Sequence, residues 1–227
     1  MQSLSRFIRQ FKGGSIPVLA ELSSGQLGVI KMKGAGNGAQ SLAAEFIANR
    51  SAAALGFSVP QAFLISIPDA YPWVFGTDEF DDILRKSYGI NLGLEYLGDC
   101  QPLGAAELLS LPPELKSQMA CLDAFFLNYD RLAASGNIVK DGAGKTWLMD
   151  HGSCLFLDEA LAGKPLALAP GHLLGEAGRG YLDEGMLRSL AGEALKHFRE
   201  LPQPWLDEMG LKFEKIEALL NLRAGLI

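Results

Sequence analysis

The sequence has no apolar run of the 18 or so residues that a membrane-spanning helix needs, which predicts a protein with no transmembrane segment. Cysteine is scarce. Cys100, Cys121 and Cys154 are odd in number, far apart and without a C-x-x-C pair. That excludes a disulfide framework and points to a reducing, cytoplasmic setting. The histidines are scarce as well: His151, His172 and His197 are singletons with no second ligand at metal spacing, which argues against zinc. Excess positive charge is also lacking. The 20 Lys and Arg against 26 Asp and Glu leave a net charge of −6, the wrong sign for general nucleic-acid binding. There is no internal repeat and no low-complexity segment. No G-x-S-x-G elbow accompanies His151-Gly152-Ser153-Cys154, so a serine hydrolase is not expected either.

What is present is an ordinary globular composition. Of 227 residues, 48% are hydrophobic and 20% charged. A chain of this length buries about 70% of the surface it exposes when unfolded. It suits one domain, or one fold made of two small lobes. Leu4, Phe7, Ile8 and Phe11 recur at helical spacing among Arg6, Arg9 and Lys12. The first segment therefore reads as a docked amphipathic element, with a basic membrane tether as the alternative. It lacks the continuous apolar stretch of a secretory signal.

Residues 16–22 and 27–32 flank the turn Ser23-Ser24-Gly25-Gln26 and predict a hairpin. The Ala-rich stretch 39–55, free of Gly and Pro, predicts a helix that ends at Gly56. Residues 62–67 (AFLISI) predict a strand, and 68–90 carry no clear pattern. The Pro-Pro start of PPELKSQMACLDAFFLN predicts another helix. Short strands near 137–140 and 145–149 are joined by the turn Asp141-Gly142-Ala143-Gly144. Helical patterns then cover 181–199, 203–209 and 211–224. A β-rich front and an α-rich rear predict two lobes with a cleft between them.

Gly34-Ala35-Gly36-Asn37-Gly38-Ala39 nearly matches a dinucleotide-binding fingerprint. Against it, Lys31 and Lys33 interrupt the preceding strand, which should be almost wholly apolar in a buried parallel sheet. No acidic residue stands about twenty residues on to hold a ribose. The segment reads instead as a connector, with Asn37 or Ser41 capping the helix.

The informative segment is 123–152. An apolar helix runs into Asn128-Tyr129-Asp130-Arg131; a polar loop leads to Asn137; a hairpin follows; Asp150-His151-Gly152 comes directly after a strand. Phosphoryl transfer needs one carboxylate to orient and deprotonate the attacking hydroxyl. It needs a second, with an amide oxygen, to hold Mg²⁺ against nucleotide phosphates. A hairpin between the two carboxylates returns the chain to the same cleft edge. Lys31 on a strand and Glu45 on the next helix supply the ion pair that can reach the α/β-phosphates. Each of these residues alone has an ordinary structural reading; the order is what carries the signal.

In that order the chain resembles a HipA-like kinase domain, within the protein-kinase-like and phosphoinositide-kinase-like fold. The matching residues lie within 10–160: Gly13-Gly14-Ser15, Gly28-Val29-Ile30-Lys31, Glu45, Leu55-Gly56-Phe57-Ser58-Val59-Pro60 and Gly93-Leu94-Glu95-Tyr96. They continue with Asp123, Asn128-Tyr129-Asp130-Arg131, Asn137-Ile138-Val139 and Leu148-Met149-Asp150-His151-Gly152. The resemblance implies an α+β, two-lobed kinase-like fold. Residues 1–97 would form a β-rich N-lobe with one main helix, and 98–227 an α-helical C-lobe. It implies ATP and Mg²⁺ as cofactors and a phosphoryl acceptor that is a protein Ser or Thr, or else a small molecule.

The roles carried over are these. Gly13, Gly14 and Ser15 would cover the phosphates. Lys31 would contact them, held by Glu45. Glu95 and Tyr96 would lie at the adenine hinge. Asp130 would be the catalytic base, and Asp150 the main Mg²⁺ ligand. The family's metal-binding Asn usually stands five residues after the catalytic Asp. Here that position is Ser135, and Asn137 stands at seven. Three metal arrangements follow: Asn137 shifts in, Ser135 binds through water, or the metal is held weakly in a pseudokinase that serves as a binding module.

Overall fold

The computed structural model describes residues 2–69, 71, 76–132, 135–158, 163–174 and 181–225. The front of the chain is a five-stranded closed barrel in the order β1-β2-β3-β5-β4. Its strands are β1 (Gln2–Gln10), β2 (Val18–Leu22), β3 (Leu27–Lys31), β4 (Ala62–Ile67) and β5 (Gly89–Glu95). Neighbours run antiparallel except at the closure, where Gln2 and Ser3 of β1 pair in parallel with Ile65 and Ser66 of β4. Alternation along β2 turns Val18, Ala20 and Leu22 inward to meet Ile30, Ile65 and Ile67.

The first segment is a strand and not the helix its spacing suggests. Register shifts fall between Leu4 and Arg6 and again between Phe7 and Arg9. Each shift resets the alternation, so the inward residues Leu4 and Phe7 stand three apart and imitate a helical period. With Leu4 and Phe7 committed to the barrel core, residues 2–10 do not form the amphipathic helix that the basic tether needed. Among the described residues no helix is long and apolar enough to cross a membrane.

Helix α1 (Gly38–Ala54) is buried nearly all round, which explains its alanine content. It lies between the strands and the C-terminal helices α5 (Glu184–Phe198) and α6 (Gln203–Met209). Its N-terminus is not capped by Asn37 or Ser41. The Ser41 hydroxyl donates to the Gly38 carbonyl, and Glu208 Oε1 on α6 accepts from the Ala39 N–H at 3.2 Å. A distant carboxylate does what the local side chains were expected to do.

The unpatterned segment 68–90 contains α2 (Asp78–Lys86); its residues 70 and 72–75, like 133 and 134 of the later polar loop, lie outside the described residues. Thr77 caps α2 through the Phe80 N–H, acids fill its first turn, and Arg85 and Lys86 its last. Phe80 and Leu84 dock into the barrel cluster. The glycine-rich connector packs on the end of α2, where the Gly34 N–H donates to Ser87 Oγ at 2.8 Å.

The rear of the chain holds α3 (Ala105–Ser110), α4 (Pro113–Phe126), α5, α6 and α7 (Phe213–Arg223). A small sheet of β6 (Gln101–Pro102), β7 (Ile138–Lys140) and β8 (Thr146–Leu148) lies beside them. One hydrophobic cluster joins α1, Leu92 and Leu94 of β5, α4 and the C-terminal helices. Trp205 of α6 is fully buried in it and donates its indole N–H to the Ile90 carbonyl. Helix α1 is therefore held from both sides, and so is Glu45 upon it.

Candidate functional site

The antiparallel pairing of β3 with β5 fixes Lys31, the last residue of β3, opposite Leu92. Its side chain is buried and turns toward α1. There Nζ meets Glu45 Oε1 at 2.8 Å and Oε2 at 2.6 Å. The same nitrogen meets Asp150 Oδ1 at 2.8 Å, across 119 residues of chain. Burial disfavours the Lys31 ammonium, but the two carboxylates outweigh it and hold the pKa above its ordinary value. Burial pushes Glu45 up against the pull of Lys31. Burial also opposes ionisation of Asp150, yet the charge and hydrogen bond of Lys31 hold its carboxyl below the usual range. Lys31 is thus a fixed cation between a buried carboxylate and one whose side chain is 40% exposed.

Asp150 follows β8 in a left-handed conformation, with φ of 52°. That is an uncommon state for a non-glycine residue, and Asp tolerates it better than most. Gly152 donates its N–H to Asp150 Oδ1 at 3.3 Å. A Cβ at Gly152 would stand 3.1 Å from Glu45 Oε2 and 3.4 Å from Asp150 Oδ1, so a side chain here would press on both carboxylates.

Asp130 and Asn137 form a second group. Asn137 Nδ2 donates to the Asp130 carbonyl at 2.8 Å and to its Oδ2 at 3.2 Å. An amide that donates through its nitrogen leaves the carbonyl oxygen as its remaining ligand atom. Ser135 is turned elsewhere. Its hydroxyl accepts from the Leu132 N–H at 3.1 Å and donates to the Leu132 carbonyl at 2.8 Å.

The two groups are joined by Arg131, which is wholly buried and to which the sequence reading gave no role. Its Nε meets Asp123 Oδ2 at 2.6 Å, and one terminal nitrogen reaches the carbonyls of Asn137 at 3.0 Å and Met149 at 3.3 Å. The other terminal nitrogen lies 3.2 Å from His151 Nε2. A guanidinium has only donors, so that nitrogen of His151 accepts and the ring is neutral. Burial, with Arg131 alongside, pulls His151 down to about 3.

Asp123 is held in turn by Asn128 Nδ2 at 3.0 Å and His172 Nε2 at 3.0 Å. Burial opposes its charge, but Arg131 and His172 prevail and hold it at about 2. Met149 N–H to the Asn137 carbonyl and Tyr129 N–H to the Ser153 carbonyl complete the joint between the Asp130 loop and the Asp150 loop. The signal for this network was Asp123, an acid within an otherwise apolar helix segment. A buried charge demands a partner.

Gly13 and Gly14 are exposed in the loop joining β1 to β2, with Ser15 half-buried. The loop is closed by Phe11 N–H to the Pro17 carbonyl and Ile16 N–H to the Gly13 carbonyl. Glu95 ends β5, exposed, and accepts from the Gln61 N–H at 3.2 Å. The Tyr96 hydroxyl accepts from Arg9 of β1 at 3.2 Å. These five residues belong to the strand end and strand loop of the barrel, apart from the Lys31, Glu45 and Asp150 cluster in their contacts.

Asp150 offers a carboxylate and Asn137 a carbonyl oxygen, the ligand types Mg²⁺ takes alongside substrate phosphates and water. Among the described residues no group of three or more His, Cys, Asp or Glu is placed to hold a metal by itself. The model of the HipA-like kinase family matches residues 5–161, from β1 through Asp150 and past Cys154. No curated protein matches the chain.

Proposed function

The chain belongs to the HipA-like kinase family, and on that premise we propose that it transfers the γ-phosphate of ATP, with Mg²⁺, to the hydroxyl of a protein Ser or Thr. The observation that carries the reading is the Lys31 ammonium, bonded to Glu45 of α1 and to Asp150 after β8. Residues that are remote in sequence converge on a buried cation beside a partly exposed carboxylate. A core built for stability alone gains little from such a cluster, whereas triphosphate binding requires it.

In this reading residues 1–97 form the nucleotide-covering lobe and 98–227 the catalytic lobe. The N–H groups of Gly13, Gly14 and Ser15 face the phosphates, and Glu95 and Tyr96 flank the adenine. Lys31 exchanges part of its contact with Asp150 for phosphate oxygens. Asp150 and the Asn137 carbonyl oxygen would hold Mg²⁺, which when bound neutralises charge on the phosphates. Asp130 orients the acceptor hydroxyl and takes its proton. The hydroxyl oxygen bonds to the γ-phosphorus as the bond to the β,γ-bridging oxygen breaks, leaving ADP. Asn137, on the Asp130 carboxylate and carbonyl, fixes the base. Arg131 keeps both loops in register.

A second reading has support in Ser135, whose hydroxyl is taken up by Leu132. A site with only one amide ligand would bind nucleotide without turning it over, as a pseudokinase module. A small-molecule acceptor in place of a protein is a third. Thermal stabilisation by ATP that requires Mg²⁺, and that Asp150→Asn abolishes, supports the kinase. Stabilisation indifferent to Mg²⁺, with no ADP formed, supports the module. Asn suits the left-handed φ of residue 150, so this variant is expected to fold.

A further inference from the structure

Helix α4 ends directly before the Asp130 loop, and the last carbonyls of a helix lack partners within it. Its C-cap is Leu127, a left-handed residue with φ of 53° and ψ of 53°. Glycine usually fills such a position; a leucine there is under strain and needs its surroundings to hold it. Asn128 and Asp130 leave the helix through this one turn, so its geometry sets their direction.

Arg223, the last residue of α7, is buried against that turn. Its Nε donates to the Phe125 carbonyl at 2.6 Å, and one terminal nitrogen donates to the Ala124 carbonyl at 2.7 Å. The other terminal nitrogen donates to the Lys164 carbonyl at 3.2 Å. The guanidinium lies 5.9 Å from the centroid of the Phe125 ring. A planar cation on two successive carbonyls at a helix C-terminus meets the terminal acceptors, of which Ala124 also takes the Leu127 N–H at 3.4 Å, and the negative end of the dipole. Burial lowers Arg223 only to about 10, so the charge persists at neutral pH.

We propose that Arg223 is a positioning residue for phosphoryl transfer, reaching from the C-terminal helix, outside the family-matched segment, to hold the left-handed turn at Leu127 that aims Asn128 and Asp130. This rests on the kinase reading of Asp130. It gives the last helix a part in the chemistry beyond filling the core. Arg223 acts on the orientation of the base, not on nucleotide contact, so its loss falls on turnover.

The test compares the 227-residue wild-type chain with Arg223→Met, Arg223→Lys, Asp130→Asn and Ile216→Ala. Ile216 lies buried on α7, and its truncation weakens the same helix without touching α4 carbonyls. The readouts are ADP release at saturating MgATP, the Kd for MgATP, and amide hydrogen exchange over residues 127–131, each taken at a fixed interval below the variant's own Tm. Arg223→Met is expected to lower ADP release at least tenfold, leave Kd within about twofold and speed exchange over 127–131. Arg223→Lys, which keeps the charge and can satisfy one carbonyl, is expected to recover part of both losses, and it stands in if the Met variant does not fold. Ile216→Ala is expected to match the wild type in all three. The proposal is overturned if Arg223→Met exchanges and turns over as the wild type does, or if Ile216→Ala loses as much. If Asp130→Asn releases ADP normally, the kinase reading fails, and the exchange data still decide whether Arg223 holds the turn.

Discussion

Replacing Lys31 by Met keeps the length and bulk of the side chain and removes its charge. In the native fold Lys31 Nζ is within 2.8 Å of both Glu45 and Asp150. The two carboxylates respond differently. Asp150 is partly exposed and water can take over its solvation. Glu45 is buried and cannot be rescued in that way. Breaking one side of a buried pair costs about 3–5 kcal/mol, and that is the loss expected for Lys31→Met at pH 8.

The loss must depend on pH. Burial already raises the Glu45 carboxyl above 4.5, and without its cation it rises further. The folded variant then keeps a proton that the unfolded chain has released. The contribution of Glu45 to its stability is greatest near and below pH 4.5, and falls with rising pH until the folded carboxyl also ionises, by about 1.4 kcal/mol per unit. In the wild type the Lys31 contribution is full below the unfolded lysine value of 10.5 and is lost only above it. The gap between wild type and Lys31→Met, from urea denaturation followed by tryptophan fluorescence, should therefore narrow by at least ~1.4 kcal/mol from pH 8 to pH 5.5. Adding Glu45→Gln should recover much of the pH 8 loss and abolish the narrowing. An equal gap at both pH values, or no relief from Glu45→Gln, would refute the assignment of Glu45 as a buried charge held by Lys31.

Three further predictions concern the frame of the site and the packing of α2. His151, neutral and pulled down to about 3, must stay unprotonated in the fold while the unfolded chain takes up a proton below 6.5. Stability should thus fall as pH drops through that window by up to about 1.4 kcal/mol per unit, and His151→Gln should flatten the slope in acid denaturation. Asp123, depressed to about 2, gives its stability above 3.8 and loses it only as pH falls toward 2, so it fails after His151. At Gly34 an added Cβ would collide with the Ile83 carbonyl oxygen. Gly34→Ala should cost about 1–3 kcal/mol in urea, and a variant as stable as the wild type would show that α2 does not press on this connector.

Local patterns were legible where the chain makes its own structure. The hairpin of β2 and β3, the alanine-rich α1, the Pro-Pro start of α4 and the Asp141–Gly144 turn follow from turn chemistry and propensity at the expected positions. What failed depended on distant partners. Bulges in β1 gave a strand the spacing of a helix, because register is set by pairing with β2 and not by β1 itself. The cap of α1 came from Glu208, 169 residues from Ala39. Helix α2 did carry a local signal, Thr77 with acids after it and bases at its end, but its few apolar residues hid it.

At the site, Lys31, Glu45 and Asp150, which meet in one cluster, and Asp130 and Asn137, which meet in another, were readable as charged and amide residues placed along predicted strands, helices and loops. Arg131, Asp123, His172 and His151 were not singled out together. Their importance is their burial around one guanidinium, and burial of a charge is a tertiary property. Arg223 was still less visible, since a lone Arg near the end of an amphipathic helix ordinarily reads as a solvent-facing charge.

The most direct measurement is transfer of radiolabel from γ-³²P-ATP, with Mg²⁺ and with EDTA, by wild type and by Asp130→Asn. Incubation should be with a cell-extract protein pool and with the protein alone. Mg²⁺-dependent labelling of Ser or Thr that vanishes in Asp130→Asn is the predicted result. A wild type that binds ATP yet leaves every protein and itself unlabelled, or an Asp130→Asn that labels as well as wild type, would contradict a phosphotransfer centre built on Lys31, Asp130 and Asp150.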